Sequence, residues 1–189
     1  MLEWLESIDR SIVLAVNGLN SPWLDEVMWV ISGKVLWIPL YLFIFYLGIR
    51  SFGLAKSLKF LVLTVVCIAV ADLISVHFFK NVFERYRPSH HLLLTNKLHF
   101  YEQKPGEFYR GGQFGFVSSH AANFFALATF VGLCFRTRYR YFFPILIGIA
   151  TLISFSRLYL GVHYLSDLLG GATVGILVAF AIWKTFWKK

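Results

Sequence analysis

Between residues 3 and 16 the chain reads EWLESIDRSIVLAV, with Leu5, Ile8, Ile12 and Val16 recurring at helical spacing and Glu6, Asp9 and Arg10 on other faces. This pattern predicts an amphipathic helix lying in a membrane interface. The stretch has no basic n-region and no small-residue cleavage site, which argues against a removed signal peptide. Beyond it the alternation gives way to nearly unbroken apolar blocks at about 23–50, 56–79, 119–135, 141–157 and 165–183. A helix needs roughly 20 residues to cross about 30 Å of hydrocarbon. The pattern therefore predicts an all-α, polytopic transmembrane bundle of about five spans plus the N-terminal interfacial helix, forming a single membrane domain over 1–189. Block 23–50 is expected to kink near Gly33 or Pro39; one tilted span and a short helix followed by a span both fit it. The connection 80–117 is too short for a second soluble domain, and no internal repeat is visible.

Composition strengthens this picture, since 58% of the residues are hydrophobic and only 15% charged, with a mean hydropathy of +0.65. Soluble domains run near 45–50% apolar and 25% charged. Lys and Arg then set the orientation. Arg50, Lys56 and Lys59 join the first two spans, Arg136, Arg138 and Arg140 join the third and fourth, and Lys184, Lys188 and Lys189 follow the fifth. Alternate connections thus share one basic side, which the positive-inside rule makes cytoplasmic. Segment 80–117 and the turn 156–165 fall outside, on the extracytoplasmic face of the cell (inner) membrane. These loops account for most of the net charge of +8, so no nucleic acid partner is needed. No obligate protein partner is evident either. Cys67 and Cys134 lie inside apolar blocks without metal-ligand spacing and read as small packing residues.

The remaining polar residues gather at the outer ends of the predicted spans. Lys80 and Arg87 follow the second span, Ser118, Ser119 and His120 open the third, Arg157 ends the fourth, and His163 and Asp167 open the fifth. A mouth holding three cations, two histidines, one carboxylate and hydroxyls suits a phosphoryl group. Arg grips phosphate oxygens bidentately, and Lys adds a point charge. The N-terminus of the third span would add N–H donors. His163 and Asp167 are spaced i, i+4, so the carboxylate can fix one imidazole nitrogen and leave the other free to attack. His120 is then available as a general acid and base. Taken singly these residues have plainer readings: Lys80 and Arg157 as snorkelling anchors, Ser118 as a helix cap, His163 and Asp167 as a structural pair. Asp72 and His77 fall within the second span and should face the bundle interior, because both are costly in lipid. Gly171 and Gly175 form a GxxxG spacing expected to pack helices closely.

In that order these residues resemble the signature of the type-2 phosphatidic acid phosphatase family, whose superfamily includes bacterial acid phosphatases and vanadium haloperoxidases. The family pattern K-x6-RP is matched by Lys80 to Pro88, and S-R-x5-H-x3-D by Ser156 to Asp167. The middle motif P-S-G-H reads Val117-Ser118-Ser119-His120, so Pro and Gly are replaced. The resemblance implies a lipid phosphatase that needs no metal or other cofactor and works through a phosphohistidine. Carried over by position, it makes His163 the nucleophile, Asp167 its orienting carboxylate and His120 the acid then base. Lys80, Arg87, Ser118, Ser119 and Arg157 become phosphate ligands. The implied substrate is a lipid mono- or diphosphate: phosphatidylglycerol phosphate, phosphatidate, lipid A or a polyprenyl diphosphate such as undecaprenyl diphosphate. The polyprenyl and phosphatidylglycerol esters lead. Two other classes use the same residues: a non-catalytic lipid-binding or anion-transport bundle, and a metal-dependent hydrolase with His163, Asp167 and His120 as ligands.

Overall fold

The computed structural model describes residues 2–188, and what is described is overwhelmingly helical. Lys189, counted above among the basic residues, and Met1 lie outside the described residues. Helix α1 spans Leu2–Asn17 and α2 Pro22–Ser32, followed by a 3-10 turn at Val35–Trp37 and α3 at Ile38–Phe52. Helix α4 is continuous over Leu54–Phe83 but winds as a π-helix from Ile74 to Lys80. Then come α5 at Ser119–Phe135, α6 at Phe142–Tyr159 and α7 at Leu165–Trp187. Between α4 and α5 a small antiparallel hairpin pairs β1 (Glu102–Lys104) with β2 (Glu107–Phe108).

Block 23–50 resolves into two elements. Helix α2 stops at Ser32, and Gly33 leaves it in an extended conformation. The apolar run that follows, Val35–Phe52, is itself long enough to cross a membrane, with Pro39 in the first turn of α3, where its missing N–H costs nothing. Leu54–Phe83, Phe142–Tyr159 and Leu165–Trp187 are likewise long and apolar enough. Helix α5 is shorter, at 17 residues, which gives it a length of about 25 Å. It occupies the centre of the bundle, against α4, α6 and α7. Ala122, Ala126, Phe130, Val131 and Phe135 bury it on several sides, so it meets protein where the other spans meet lipid.

Helix α5 meets α7 closely because of the two glycines. A Cβ at Gly171 would sit 2.4 Å from the Ser118 carbonyl oxygen, and one at Gly175 would sit 2.2 Å from that of Ala122. No side chain fits either gap. This contact holds the first turns of α5 and α7 side by side, and both carry predicted site residues.

At the opposite end the basic connections meet. The Arg136 guanidinium lies 5.0 Å over the Trp183 ring, Lys188 lies 5.7 Å over the same ring, and Lys56 lies 5.2 Å over Trp187. The α3–α4 turn, the α5–α6 turn and the end of α7 therefore share one face.

One expectation needs correction, and α1 has a protein-facing side that its apolar stripe does not mark. On α1 the face packed on protein is Asp9, Val13 and Asn17, while Leu5 and Ile8 stay exposed. The reason is hydrogen bonding: the Asn17 amide donates to the His99 and Tyr159 carbonyls, each at 2.8 Å, and Asp9 binds groups near α7. His77 does not face the interior; it is exposed, its Nδ1 3.2 Å from the Leu73 carbonyl. The π-helical winding aligns residues five apart, so Ser75 and Lys80 turn inward instead.

Candidate active site

His163 lies in the turn between α6 and α7, just before α7 begins, and is 1% exposed. Its Nδ1 is 3.2 Å from Oδ2 of Asp167, which is fully buried in the first turn of α7. The same Oδ2 accepts the Tyr164 N–H at 3.0 Å, and Oδ1 accepts from Arg85 at 3.1 Å. A carboxylate held this way keeps the proton on Nδ1 and leaves Nε2 with a free lone pair. Burial pushes the His163 imidazole well below the usual histidine range, and the charges of Arg87, Arg157, Lys80 and His120 push it further. It is thus a neutral nitrogen among positive groups.

Those cations arrive from separate elements. Lys80, at the end of the π-helical turn, donates to Ser119 Oγ at 2.6 Å, and Ser75 Oγ is 2.7 Å from the same oxygen. Arg87 lies on a loop strand zipped to 113–115: its N–H donates to the Gln113 carbonyl at 3.0 Å, and its Nε donates to the Phe114 carbonyl at 3.0 Å. Burial lowers its pKa to about 10, with Arg157 adding to the effect, so it stays charged at neutral pH. Arg157 is 3% exposed; it donates to Ser32 Oγ and, at 2.6 Å, to the Tyr109 hydroxyl, and its Nε has no partner. Among the described residues none of these three cations forms an ion pair. Buried charge without a counter-charge is costly, so the site is built for an anion.

Ser118 is a helix cap here. It is fully buried, its Oγ accepts the Ala121 N–H at 3.4 Å, and its own N–H donates to the Asp167 carbonyl at 2.9 Å. Ser119 and His120, in the first turn of α5, are half-buried and face a cavity of about 320 Å³. Its walls include Lys34, Tyr41, Asp72, Asn123, Ile68 and Leu127. Asn123 donates to Asp72 Oδ1 at 3.0 Å. Among the described residues no three His, Cys, Asp or Glu side chains gather as a metal-binding group.

Lys80, Arg87, Arg157 and His120 thus bear on His163 by their charge, Asp167 bonds its Nδ1, and Ser119 is tied to Lys80, while Ser118 caps α5. Sequence reasoning missed the groups that hold them: Ser32, Ser75, Tyr109, Arg85 and Asp9. No signal in the sequence singles out Asp9, since Glu6 and Arg10 are equally charged neighbours on the same amphipathic helix.

Known proteins resemble this chain in sequence and fold. The family model described as PAP2 superfamily matches residues 60–189. A lipid A 4'-phosphatase of Porphyromonas gingivalis is 33% identical over 187 residues, covering 98% of this chain and 75% of that protein. One of Bacteroides thetaiotaomicron is 36% identical over 176 residues, covering 93% and 75%. Among solved structures, the transmembrane PAP2 type phosphatidylglycerolphosphate phosphatase of Bacillus subtilis superposes with a TM-score of 0.71 at 25% identity, covering 97% of this chain and 87% of that one. The fold is therefore that of a multi-pass membrane protein, and the chain belongs to the PAP2 superfamily.

Proposed function

We propose that this membrane lipid phosphatase removes the phosphate monoester of a lipid headgroup at the extracytoplasmic face, carrying the phosphoryl group transiently on His163. The observation that supports it most is the set of three cations, Lys80, Arg87 and Arg157, bearing on one buried neutral imidazole without any carboxylate of their own. They hold the phosphate oxygens as charge spreads over them. Nε2 of His163 forms the P–N bond while the bond to the leaving oxygen breaks, and His120 gives that oxygen its proton. Water then attacks phosphorus, His120 takes the proton of the water, and orthophosphate departs from His163. Asp167 keeps the imidazole aimed in both steps.

An in-line displacement puts the leaving alcohol on the side of the general acid, so the cavity beside His120 takes it. A lining that sets Lys34, Asp72 and Asn123 among apolar side chains suits an alcohol that carries further hydroxyls or amides on a lipid. That chemistry, with two relatives named for lipid A, favours a phosphate on an acylated sugar over a polyprenyl diphosphate. We take α5 to cross as well, which makes five spans, and the Trp183 end as cytoplasmic, which leaves the site outside.

The test is orthophosphate release by purified protein in detergent with EDTA, across lipid A, phosphatidylglycerol phosphate, phosphatidate and undecaprenyl diphosphate. Lipid A should turn over fastest, and chelation should change nothing. Loss of turnover with EDTA and its return with a divalent metal would favour the metal-dependent class. A His163→Ala protein that keeps near-full activity would overturn the covalent route.

A further inference from the structure

Arg85 sits two residues before Arg87, yet it does not join the phosphate-binding cations. Its NH1 donates to Asp167 Oδ1 at 3.1 Å and to Ser166 Oγ at 2.6 Å; its NH2 donates to Asp9 Oδ2 at 2.9 Å. Its plane lies 4.3 Å over the Tyr164 ring. Asp9, on α1, is 6% exposed, and its Oδ1 accepts the Ser166 N–H at 3.1 Å in the first turn of α7. Ser166 Oγ closes the ring by bonding Asp9 Oδ2. Two carboxylates from opposite ends of the chain therefore share one guanidinium. Burial pulls Arg85 towards losing its proton, but Asp167 and Asp9 outweigh that and hold it firmly charged.

We infer that Asp9 and Arg85 are positioning residues for catalysis, by which α1 fixes the orientation and charge of Asp167 and, through it, the attacking nitrogen of His163. A fully buried carboxylate needs a counter-charge to remain ionised. Only an ionised Asp167 keeps the proton of His163 on Nδ1. Arg85 supplies that charge on one carboxylate oxygen, while the Tyr164 N–H and His163 share the other. Asp9 fixes the opposite edge of the guanidinium, so its fork cannot swing towards the phosphate site. The helix that a sequence reading makes a membrane anchor is thereby part of the catalytic support. This inference rests on the phosphohistidine reading above.

The experiment measures kcat and KM for phosphate release from lipid A, or from phosphatidylglycerol phosphate if that ester turns over better. It uses wild type, Asp9→Asn, Arg85→Gln, Arg85→Lys and the Asp9→Asn/Arg85→Gln double variant. We expect kcat to fall about tenfold in Asp9→Asn and about a hundredfold in Arg85→Gln, with KM nearly constant, because neither residue touches substrate. Arg85→Lys should recover part of the loss. The double variant should be no slower than Arg85→Gln, since Asp9 acts through Arg85.

The pH profile separates positioning from mere support. The charges facing the His163–Asp167 pair are Arg85 and Arg87 from the loop, Arg157 from α6, Lys80 from α4, His120 from α5 and Asp9 from α1. Removing the Arg85 cation lets the pair hold its proton more tightly, so the acid limb of kcat/KM moves to higher pH; removing the Asp9 charge moves it lower. Inorganic phosphate should still raise the Tm of every variant, because Lys80, Arg87 and Arg157 are untouched. If Arg85→Gln loses that response it has lost its fold, and the isosteric Asp9→Asn decides alone. Wild-type kcat and an unmoved limb in Asp9→Asn, with the phosphate response kept, would overturn the inference; so would losses that multiply in the double variant. A wild-type protein inactive on every lipid would instead bring down the phosphatase reading, and this inference with it.

Discussion

His163 is a histidine whose surroundings decide its chemistry. An ordinary imidazole is half-protonated near about pH 6.5, and a protonated one has no lone pair with which to attack phosphorus. Burial, then the nearby cations, makes this one hold its proton less tightly than that. The reactive form therefore persists into more acidic solution, and the acid limb of kcat/KM, which reports the free enzyme, should lie below about pH 6.5. Once a phosphate dianion neutralises Lys80, Arg87 and Arg157, the proton is held better, so the limb of kcat should lie above that of kcat/KM. Initial rates from about pH 4 to 9, corrected for the second ionisation of the phosphate near about pH 6, check both statements. An acid limb of kcat/KM above 7 would contradict them. At this scale the sequence was informative about the groups proposed to touch phosphate, because the chemistry dictates their type and the three motifs hold them at fixed spacings. Tyr109, Ser32 and Arg85 were not legible. Their partners, Arg157 and Asp167, are 48 to 125 residues away, and any hydroxyl or cation at those positions reads as ordinary loop chemistry.

Among the helices, the contact of α5 with α7 determines whether the site assembles, since one carries His120 and the other Asp167. Replacing a helical glycine by alanine normally stabilises by about 0.5–1 kcal/mol, through the lower entropy of the unfolded chain. At Gly148 of α6 a Cβ would meet nothing within 4 Å, so Gly148→Ala should be neutral or raise the Tm. At Gly175 the same methyl would lie 2.2 Å from the Ala122 carbonyl oxygen, backbone that cannot yield without moving α5. Gly175→Ala should therefore lower stability by about 1–3 kcal/mol, the usual cost of overpacking, and reduce activity with it. Thermal unfolding of both proteins in one detergent checks the opposite signs; equal shifts would show that the two helices are not held at this distance. The GxxxG spacing announced this contact because small residues four apart have few other uses in an apolar helix. The break at Gly33 and the buried face of α1 were less legible. Hydrophobicity alone does not separate lipid-facing from protein-facing apolar positions, and the polar residues that seat α1, Asp9 and Asn17, look like solvent-facing ones until their distant partners are known.

Across the whole molecule, the proposed function places the charged mouth and the basic turns on opposite sides of a bilayer. The helical membrane class was readable from composition, because a chain this apolar has no soluble alternative. The side on which each end lies follows from the loop charges, and the meeting of Lys56, Arg136 and Lys188 on the Trp183 and Trp187 rings gathers those charges into a single belt. On the proposed topology the cations of this belt stay on the cytoplasmic side, while the 80–117 loop, with its hairpin, is carried across. Chemical labelling can test this directly, because both native thiols, Cys67 and Cys134, are buried. A cysteine placed at Leu92, which is 89% exposed in the loop after α4, should react with a membrane-impermeant maleimide in intact spheroplasts. One placed at Tyr141, exposed in the turn between α5 and α6, should react only after the membrane is opened. Labelling in the reverse order would put the three phosphate-binding cations on the cytoplasmic side, and the lipid phosphates reached by the enzyme would then be those of the inner leaflet.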